Sequence, residues 1–228
     1  MSGVDAYTKL LLHCNGADAA TTFTDETGKT MTAVGNAQID TAQSKFGGAA
    51  GLFDGAGDYC TAVDSADWQL GTTFTIDFWF RTTDVTFFHG FCSQYQNSTN
   101  FWAFQFHGGI KKITFSHTVG NVETAGNLAT WDPSPNTWYH VAVVAVAGVI
   151  EFYIGGVKLT KSTSNNLPSF TDFSAVFRVG AGCDSGEFSY MMKGWIDEFR
   201  VSKGIARWTA NFTPPNAPYG TGNLLAMF

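Results

Sequence analysis

The stretch Phe74–Arg81, with the sequence FTIDFWFR, constrains the fold of this chain more than any other. Its large apolar side chains stand at every second position: Phe74, Ile76, Phe78 and Phe80. A period of two predicts a β-strand with one face buried in a core. Trp79 points to the opposite face, and we expect it to line a groove or to lie under a loop.

The composition of the 228-residue chain favours many short strands. It contains 25 glycines and 21 phenylalanines, and only 14% of its residues are charged, which suits tight turns around an aromatic core. The length allows one large β domain or two small ones. The formal net charge of −6 argues against a nucleic-acid partner. No apolar run is long enough to span a bilayer, so membrane insertion is not expected.

Other strands are predicted from alternation and glycine turns. The central predicted strands are Gly90–Tyr95, Phe101–Phe106 and Ile113–His117. A polar turn at Gln96–Asn100 joins the first two, and a polar loop follows His117 and continues to Trp131. Trp138–Thr160 is predicted to form three strands, with turns at Gly148 and at Gly155–Gly156. No helical pattern of useful length is found.

The segment Met191–Gly220 is predicted to be a closing strand followed by a strap across the surface. A regular strand would place Trp195, Asp197, Phe199 and Val201 on one face and Ile196, Glu198 and Arg200 on the other. The strand must end near Gly204, because the prolines that follow cannot continue a central strand.

Three segments together resemble the signatures of one family. The first segment, Phe46–Arg81, contains the motifs FGG, LFDGAGDY and FTIDFWF. The second segment, Trp138–Thr160, contains WYHVA and YIGG. The third segment begins with GWIDEFRVSKG and continues to FTPP. These motifs are similar to those of laminin-G-like jelly rolls in the concanavalin A-like lectin/glucanase superfamily, and the third is similar to versions in phage structural and tail proteins. The resemblance implies an all-β fold, an antiparallel two-sheet jelly-roll sandwich, forming one domain over residues 1–220 with a tail at 221–228.

The beginning of the chain, MSGVDAYTKLLLHCN, does not have the pattern of a signal peptide, because Asp5 and Lys9 interrupt a short apolar run. We therefore expect synthesis in a reducing compartment and buried thiols, with two disulfides as the alternative. The cysteines concerned are Cys14, Cys60, Cys92 and Cys183. The resemblance to phage proteins implies a position on the virion surface, and an extracellular location is the alternative.

No catalytic residue is predicted. Glycoside hydrolysis needs two carboxylates facing one groove, about 5–10 Å apart. The pattern Glu–x–Asp–x–x–Glu of retaining jelly-roll glucanases is missing, and a regular strand would point the adjacent Asp197 and Glu198 to opposite faces. We expect a protein that is not an enzyme, and a polysaccharide-degrading enzyme is the weakest alternative.

A structural calcium ion is implied by the resemblance, because related jelly rolls often clip the first loop to the last strand with one. The matching ligands are Asp25 in the first loop and Asp197 on the closing strand. The alternative is that Asp25 caps a turn and that Asp197 pairs with Arg200 or with a backbone amide.

Sugar binding is a common non-catalytic use of this fold. Aromatic rings stack on sugar rings, and amide groups bind hydroxyls. The candidate residues are Gln94, Tyr95, Gln96, Asn100, Trp102 and Trp131. The alternative is that Trp102 and its phenylalanine neighbours belong to the core.

The leading functional hypothesis is a structural or decoration module of a phage particle, in its capsid or tail, with a role in glycan adhesion. A lectin-like carbohydrate-binding protein is the alternative. The tail is part of this hypothesis, because its apolar side chains would either fold back on their own domain or dock on another copy of the chain or on a virion protein. Those side chains are Leu224, Leu225, Met227 and Phe228.

Overall fold

The computed structural model describes residues 3–183 and 190–220, which form two packed antiparallel sheets. Sheet I follows the order β13-β12-β11-β6-β18-β4-β3, and β1 also pairs with β18. Its strands are β1 (Thr8–Leu12), β3 (Gln38–Asp40), β4 (Ala50–Asp54), β6 (Phe74–Arg81), β11 (Tyr139–Val146), β12 (Val149–Ile154), β13 (Val157–Lys158) and β18 (Lys193–Lys203).

Sheet II follows the order β14-β10-β9-β8-β7-β15-β5-β2. Its strands are β2 (Thr32–Val34), β5 (Tyr59–Ala62), β7 (Phe88–Asn97), β8 (Asn100–His107), β9 (Lys112–Val119), β10 (Val122–Thr130), β14 (Lys161–Ser164) and β15 (Phe177–Val179). A short pair, β16 (Ala181–Gly182) and β17 (Tyr190–Met191), lies beside β7. The helical elements of the described residues are two single turns, Ala66–Trp68 and Gly108–Ile110.

The core lies between the sheets and confirms the predicted phase of β6. All four apolar residues of that strand are buried, and Phe78 contacts Phe91 and Phe104 from sheet II as well as Phe199 from its own sheet. Burying each such side chain is worth roughly 1.5–3 kcal/mol before ordering costs. Trp79, on the outer face, is covered by the loop that contains Lys45 and Phe46.

One strand of sheet II is not predicted by the sequence patterns. The residues after His117 were expected to form a loop up to Trp131, but Val122–Thr130 form β10, which pairs with β9 along its length. The inward positions of β10 include Ala125 and Ala129, which are too small to give a visible apolar alternation. Backbone hydrogen bonds to β9 on one side and to β14 on the other hold β10 in the sheet despite its weak apolar pattern.

The predicted assignment of the β18 residues to the two faces of the sheet is wrong beyond Asp197, because the strand contains a β-bulge. Its register against β6 shifts between Asp197 and Arg200, and Glu198 has a φ of 55°. Ile196 and Phe199 therefore both face the core, and the extra residue leaves Asp197 and Glu198 together on the outer side. Adjacency in the sequence therefore does not place these two acids on opposite faces.

The strap follows β18 and covers the outer face of sheet I, as predicted. Trp208 stacks on Phe212, and both pack against Ala142 and Tyr153 on that face. The tail residues Leu224, Leu225, Met227 and Phe228 lie outside the described residues.

All four cysteines are buried thiols, and none is part of a disulfide.

Candidate functional site

Trp102 is in the core and does not offer a face to a sugar. Its side chain is fully buried, packing near Phe115 and Phe177, and its indole N–H donates to Gln94 Oε1 at 3.0 Å. Gln94 is fully buried as well, and its amide donates to the carbonyl of Ala175 at 2.8 Å. The alternation of β8 places Trp102 on the same side as Phe104, and this period could have shown its burial.

Trp131 is also a core residue, near the other end of β8. Its ring lies 4.8 Å from that of Phe106 and 5.5 Å from that of Tyr139, measured between centroids. The two tryptophans predicted to stack on a sugar are therefore neither exposed nor adjacent. Both rings instead pack in the core between the two sheets.

The remaining predicted sugar contacts support the turn between β7 and β8. Asn100 accepts from the amide of Gly120 at 3.0 Å, and Gln96 Oε1 accepts from the amide of Ser174 at 3.1 Å. Tyr95 is half-buried beside Phe101. These contacts hold loops together, and Tyr95, Gln96 and Asn100 lie away from the buried rings of Trp102 and Trp131.

The two predicted calcium ligands bind different loops. Asp25 accepts from the amides of Leu11 at 2.9 Å and Lys29 at 2.9 Å, and so caps its own turn. Asp197 Oδ2 accepts from the amides of Lys45 and Phe46 at 2.8 and 2.9 Å. Within residues 3–183 and 190–220, no cluster of three or more His, Cys, Asp or Glu side chains could hold a metal ion. Calcium stays a prediction, and these contacts fit the turn-capping alternative.

The outer face of sheet I carries a buried ionic network under the strap. Arg200 donates from Nε to Asp77 Oδ1 at 3.0 Å and from Nη2 to Oδ2 at 3.2 Å, and both side chains are fully buried. Tyr219, from the strap, donates its hydroxyl to Asp77, and His140 lies 3.5 Å from the same carboxylate. Burial would raise the pKa of Asp77, but the charge of Arg200 and these hydrogen bonds lower it to about 2.

Glu198 joins the strap to the first strand. Its Oε1 lies 2.7 Å from His13 Nδ1, and its Oε2 accepts from the amide of Tyr219 at 2.7 Å. The hydrogen bond to Glu198 raises the pKa of His13. Asp197 lies beside it, and burial raises the pKa of that carboxyl to about 7. These acids are used to close the molecule, so this face is occupied by its own chain.

The outer face of sheet II contains a depression of about 150 Å³ formed by three neighbouring strands. Among the described residues, those that line it with side chains from the outer face are Gln105 and His107 on β8, Thr114 and Ser116 on β9, and Glu123 and Leu128 on β10. Gln105 and Thr114 are direct cross-strand partners. Because Phe104 and Phe106 point into the core, the residue between them must point outward into this depression.

Two side-chain oxygens of residues that line this depression lack a hydrogen-bond partner within the part of the chain that the structure describes. They are Gln105 Oε1 and Thr114 Oγ1. Their residues are only 4% and 7% exposed, so ordinary bulk hydration does not account for these atoms. A buried polar group without a partner costs about 1–3 kcal/mol.

Glu123 lies over the floor of the same depression because of a glycine. A Cβ atom on Gly126 would stand 2.3 Å from Glu123 Oε2, so any other residue there would require the carboxylate to move. The register of β10 against β9 also shifts between Glu123 and Ala125, which turns the carboxylate toward the sheet. The sequence signal for this site was weak, because small and polar residues dominate β9 and β10.

A family model matches residues 54–207, more than half of the chain; it describes the concanavalin A-like lectin/glucanase superfamily. The chain belongs to this superfamily. The match confirms the superfamily inferred from the sequence motifs. No curated protein matches the chain. Across residues 3–183 and 190–220, no helix is long and apolar enough to cross a membrane.

Solved structures share the superfamily fold at low sequence identity. Domain 4 of AbnA, an extracellular arabinanase from Geobacillus stearothermophilus solved in complex with arabinotriose, is 19% identical, with a TM-score of 0.63 over 88% of this chain and 95% of that domain. The binding domain of botulinum neurotoxin serotype D is 14% identical, with a TM-score of 0.61 over 86% of this chain and 48% of that one. A structure described for botulinum neurotoxin type C, whose cell entry depends on two ganglioside molecules, is 15% identical, with a TM-score of 0.60 over 86% of this chain and 47% of that one. The chain therefore spans about half the length of the toxin structures.

Proposed function

We propose that this protein is a carbohydrate-binding module that binds sugars in the depression on sheet II. The observation that carries the proposal is the depression itself, lined by the polar side chains of Gln105 and Thr114, which are direct cross-strand partners on adjacent strands. Amide and hydroxyl groups at fixed positions are what a protein uses to recognise sugar hydroxyls. Two structural neighbours support the ligand class, since one was solved with arabinotriose and another is linked to gangliosides.

The same depression favours binding without catalysis. A glycosidase needs two carboxylates across one groove. Among the described residues that line the depression, Glu123 is the one carboxylate. The acids of sheet I are hydrogen-bonded under the strap and the loop at Lys45. We therefore propose that a bound glycan is released unchanged, and hydrolysis of a bound oligosaccharide would contradict this.

The test is a glycan array followed by calorimetry, with arabinotriose as the first soluble probe. Thr114→Val keeps the shape of the side chain and removes its oxygen, so we expect it to weaken binding at least tenfold. The matched control is Thr61→Val on β5, which lies in the same sheet four strands away in the strand order from β9. An array without signal, or equal binding by both variants, would overturn the proposed site.

A structural module on a virus particle is the second proposal. It rests on the closing run from Gly194 to Pro215, which is similar to phage versions, and it implies the virion surface as the location, with an extracellular location as the alternative. The apolar tail would then anchor the module to virion proteins or to other copies. Deleting residues 221–228 should leave a thermally unchanged domain that no longer joins particles. Normal co-purification of the truncated chain with particles would rule out the anchor.

A further inference from the structure

We propose that a second depression, on the outer face of sheet I, binds a small molecule in which an apolar body carries a carboxylate. It lies between Val144 and Val149 on the sheet and Trp208 and Thr209 on the strap, and we call it the strap-edge depression. The strap covers the centre of this face, but it leaves the edge formed by β11, β12 and β13 open here. The volume is about 290 Å³, close to the lower limit of about 300 Å³ for small-molecule sites.

The floor of the strap-edge depression is apolar. Val144 and Val146 stand on either side of the core residue Ala145 in β11, so both point to the outer face. Val149, on β12, is the direct cross-strand partner of Val146, and the two are 38% and 41% exposed. Trp208 forms the wall on the side of the strap. Exposed aliphatic side chains in a concave site favour a ligand with an apolar body, because binding removes their surface from water.

Two hydrogen-bond donors meet at one end of this floor. Tyr153 and Lys158 are direct cross-strand partners, and both line the strap-edge depression. Tyr153 is only 1% exposed, yet its hydroxyl has no hydrogen-bond partner among the described residues and is not fully enclosed. Burial raises the pKa of Tyr153, so the hydroxyl stays protonated and can donate. The Lys158 side chain is 45% exposed, and its ammonium has three N–H donors, of which one serves Glu151.

The carboxylate of Glu151 does not make this end negative. Its Oε1 lies 3.1 Å from Lys158 Nζ and 3.6 Å from Lys161 Nζ. Two ammonium groups therefore face one carboxylate, which leaves a local positive charge in a chain whose formal net charge is −6. The strap residues on the opposite wall, Trp208 and Thr209, add no charge.

This combination of groups matches an apolar carboxylate. Its two oxygens can accept from the Tyr153 hydroxyl and from the Lys158 ammonium at once, and hydrogen bonds to a charged group are among the stronger ones. Its hydrocarbon part would lie against the valines. An apolar ammonium compound would instead have to compete with two lysines for Glu151. The site is independent of the proposed glycan site, because the two depressions lie on opposite outer faces of the sandwich.

The experiment titrates the full chain by calorimetry with three eight-carbon probes that differ in the head group: sodium octanoate, octylammonium chloride and n-octanol. We expect octanoate to bind at least tenfold more tightly than the other two. Lys158→Met keeps the apolar stem and removes the ammonium, so it should weaken octanoate binding about tenfold. Lys111→Met is the matched control, since Lys111 also pairs with a carboxylate, that of Asp132, but lies in the turn before β9 of sheet II. It should leave octanoate binding unchanged.

Two further measurements do not depend on the folding of Lys158→Met. Tyr153→Phe removes only the hydroxyl and should weaken octanoate binding about fivefold. The affinity of the wild-type protein for octanoate should fall as salt rises from about 0.01 to 0.5 M. An affinity that does not change with salt would contradict the role of charge.

The other outcomes are equally decisive. Octylammonium binding as tightly as octanoate would show that Glu151 dominates the site and would overturn the proposal. Equal affinity of the wild-type protein and Lys158→Met for octanoate would place the binding elsewhere. Octanoate binding that appears only after deletion of residues 221–228 would show that a tail, from the same or another copy, covers the depression, and would also overturn it. Thr114→Val should leave octanoate binding unchanged, so failure of the glycan site is measured separately.

Discussion

On the outer face of sheet I, Asp77 accepts hydrogen bonds from Arg200 and Tyr219, whereas on the outer face of sheet II Gln105 and Thr114 keep oxygens without partners in the described residues. Both faces arise from the same alternation, in which every second residue of a central strand points away from the core. The two outer faces differ in which part of the chain covers them. The strap supplies Tyr219 to the first face, although Trp79 Nε1 and His140 Nδ1 still lack partners there among the described residues. We propose that the second face keeps its polar groups for a ligand.

This contrast teaches that polar residues on a β-sandwich strand can serve either stability or recognition. A buried ion pair with a strap hydroxyl is costly to disturb, because removing one partner leaves a charge in the interior. A buried oxygen without a hydrogen-bond partner destabilises the folded state, so its removal should increase the free energy of unfolding.

Arg200→Met should have the largest effect. It leaves Asp77 buried without its cation, and we expect a loss of about 3–5 kcal/mol in the free energy of unfolding, measured by urea titration. The control is Lys111→Met, which breaks an exposed pair with Asp132 and should cost less than about 1 kcal/mol. Equal losses in the two variants would contradict the buried network.

Asp197→Asn should stabilise the protein at pH 8 and have little effect below pH 4. The carboxyl has a pKa raised from 3.8 to about 7, so between these values the folded state binds more protons than the unfolded state. Stability contributed by the protonated group is therefore lost as pH rises through this window, by up to about 4 kcal/mol for the full shift. Asparagine remains neutral and avoids the loss.

The same variant tests calcium. If an ion binds Asp197, Asp197→Asn should instead lower the melting temperature at pH 8, and a chelator should lower that of the wild-type protein in the same way. Thermal scans of both proteins with and without EDTA, together with elemental analysis, distinguish the two expectations. A chelator effect confined to the wild-type protein would support the ion and overturn the prediction of a gain.

Tyr219→Phe should have a smaller effect than the loss of Arg200. The variant keeps the ring over the Arg200 guanidinium and loses the hydrogen bond to the Asp77 carboxylate, which is worth about 1.5–3 kcal/mol, together with a longer contact of 3.5 Å to His140 Nε2. Tyr7→Phe is the matched control, because Tyr7 is 46% exposed. Thermal unfolding of the two variants compares them directly, and indistinguishable melting temperatures would show that the strap does not need this bond.

Thr114→Val should have the smallest effect on stability and, unlike Arg200→Met and Tyr219→Phe, should stabilise the protein. It removes a buried hydroxyl that lacks a partner, so we expect a gain of about 0.5–1 kcal/mol in the free energy of unfolding while glycan binding falls. Urea titration and calorimetry on one preparation measure both quantities. A destabilised variant would show that the hydroxyl already has a partner in the folded protein.

Much of the fold could be predicted from alternation alone, and the candidate site could not. Phe74 to Phe80 are large enough for the period of two to be unmistakable, and the burial of Trp102 follows from the same rule applied to β8. Val122–Thr130 was missed because its inward residues are small. Of the predicted sugar contacts, Trp102, Trp131 and Gln94 are buried, while the depression that we propose instead is lined mainly by small and polar residues.

The sequence by itself determined the two-layer β architecture, the core face of β6 and the strap after Gly204, because each depends on local periodicity or on residues that end a strand. Only the tertiary structure decided where the acids of the closing strand lie and which outer face stays available. The bulge at Glu198 changes the side on which residues project, and it is set by pairing with β6 more than a hundred residues earlier in the chain. The depression likewise exists only where β8, β9 and β10 meet, since a site shared between strands has no signature in any one of them.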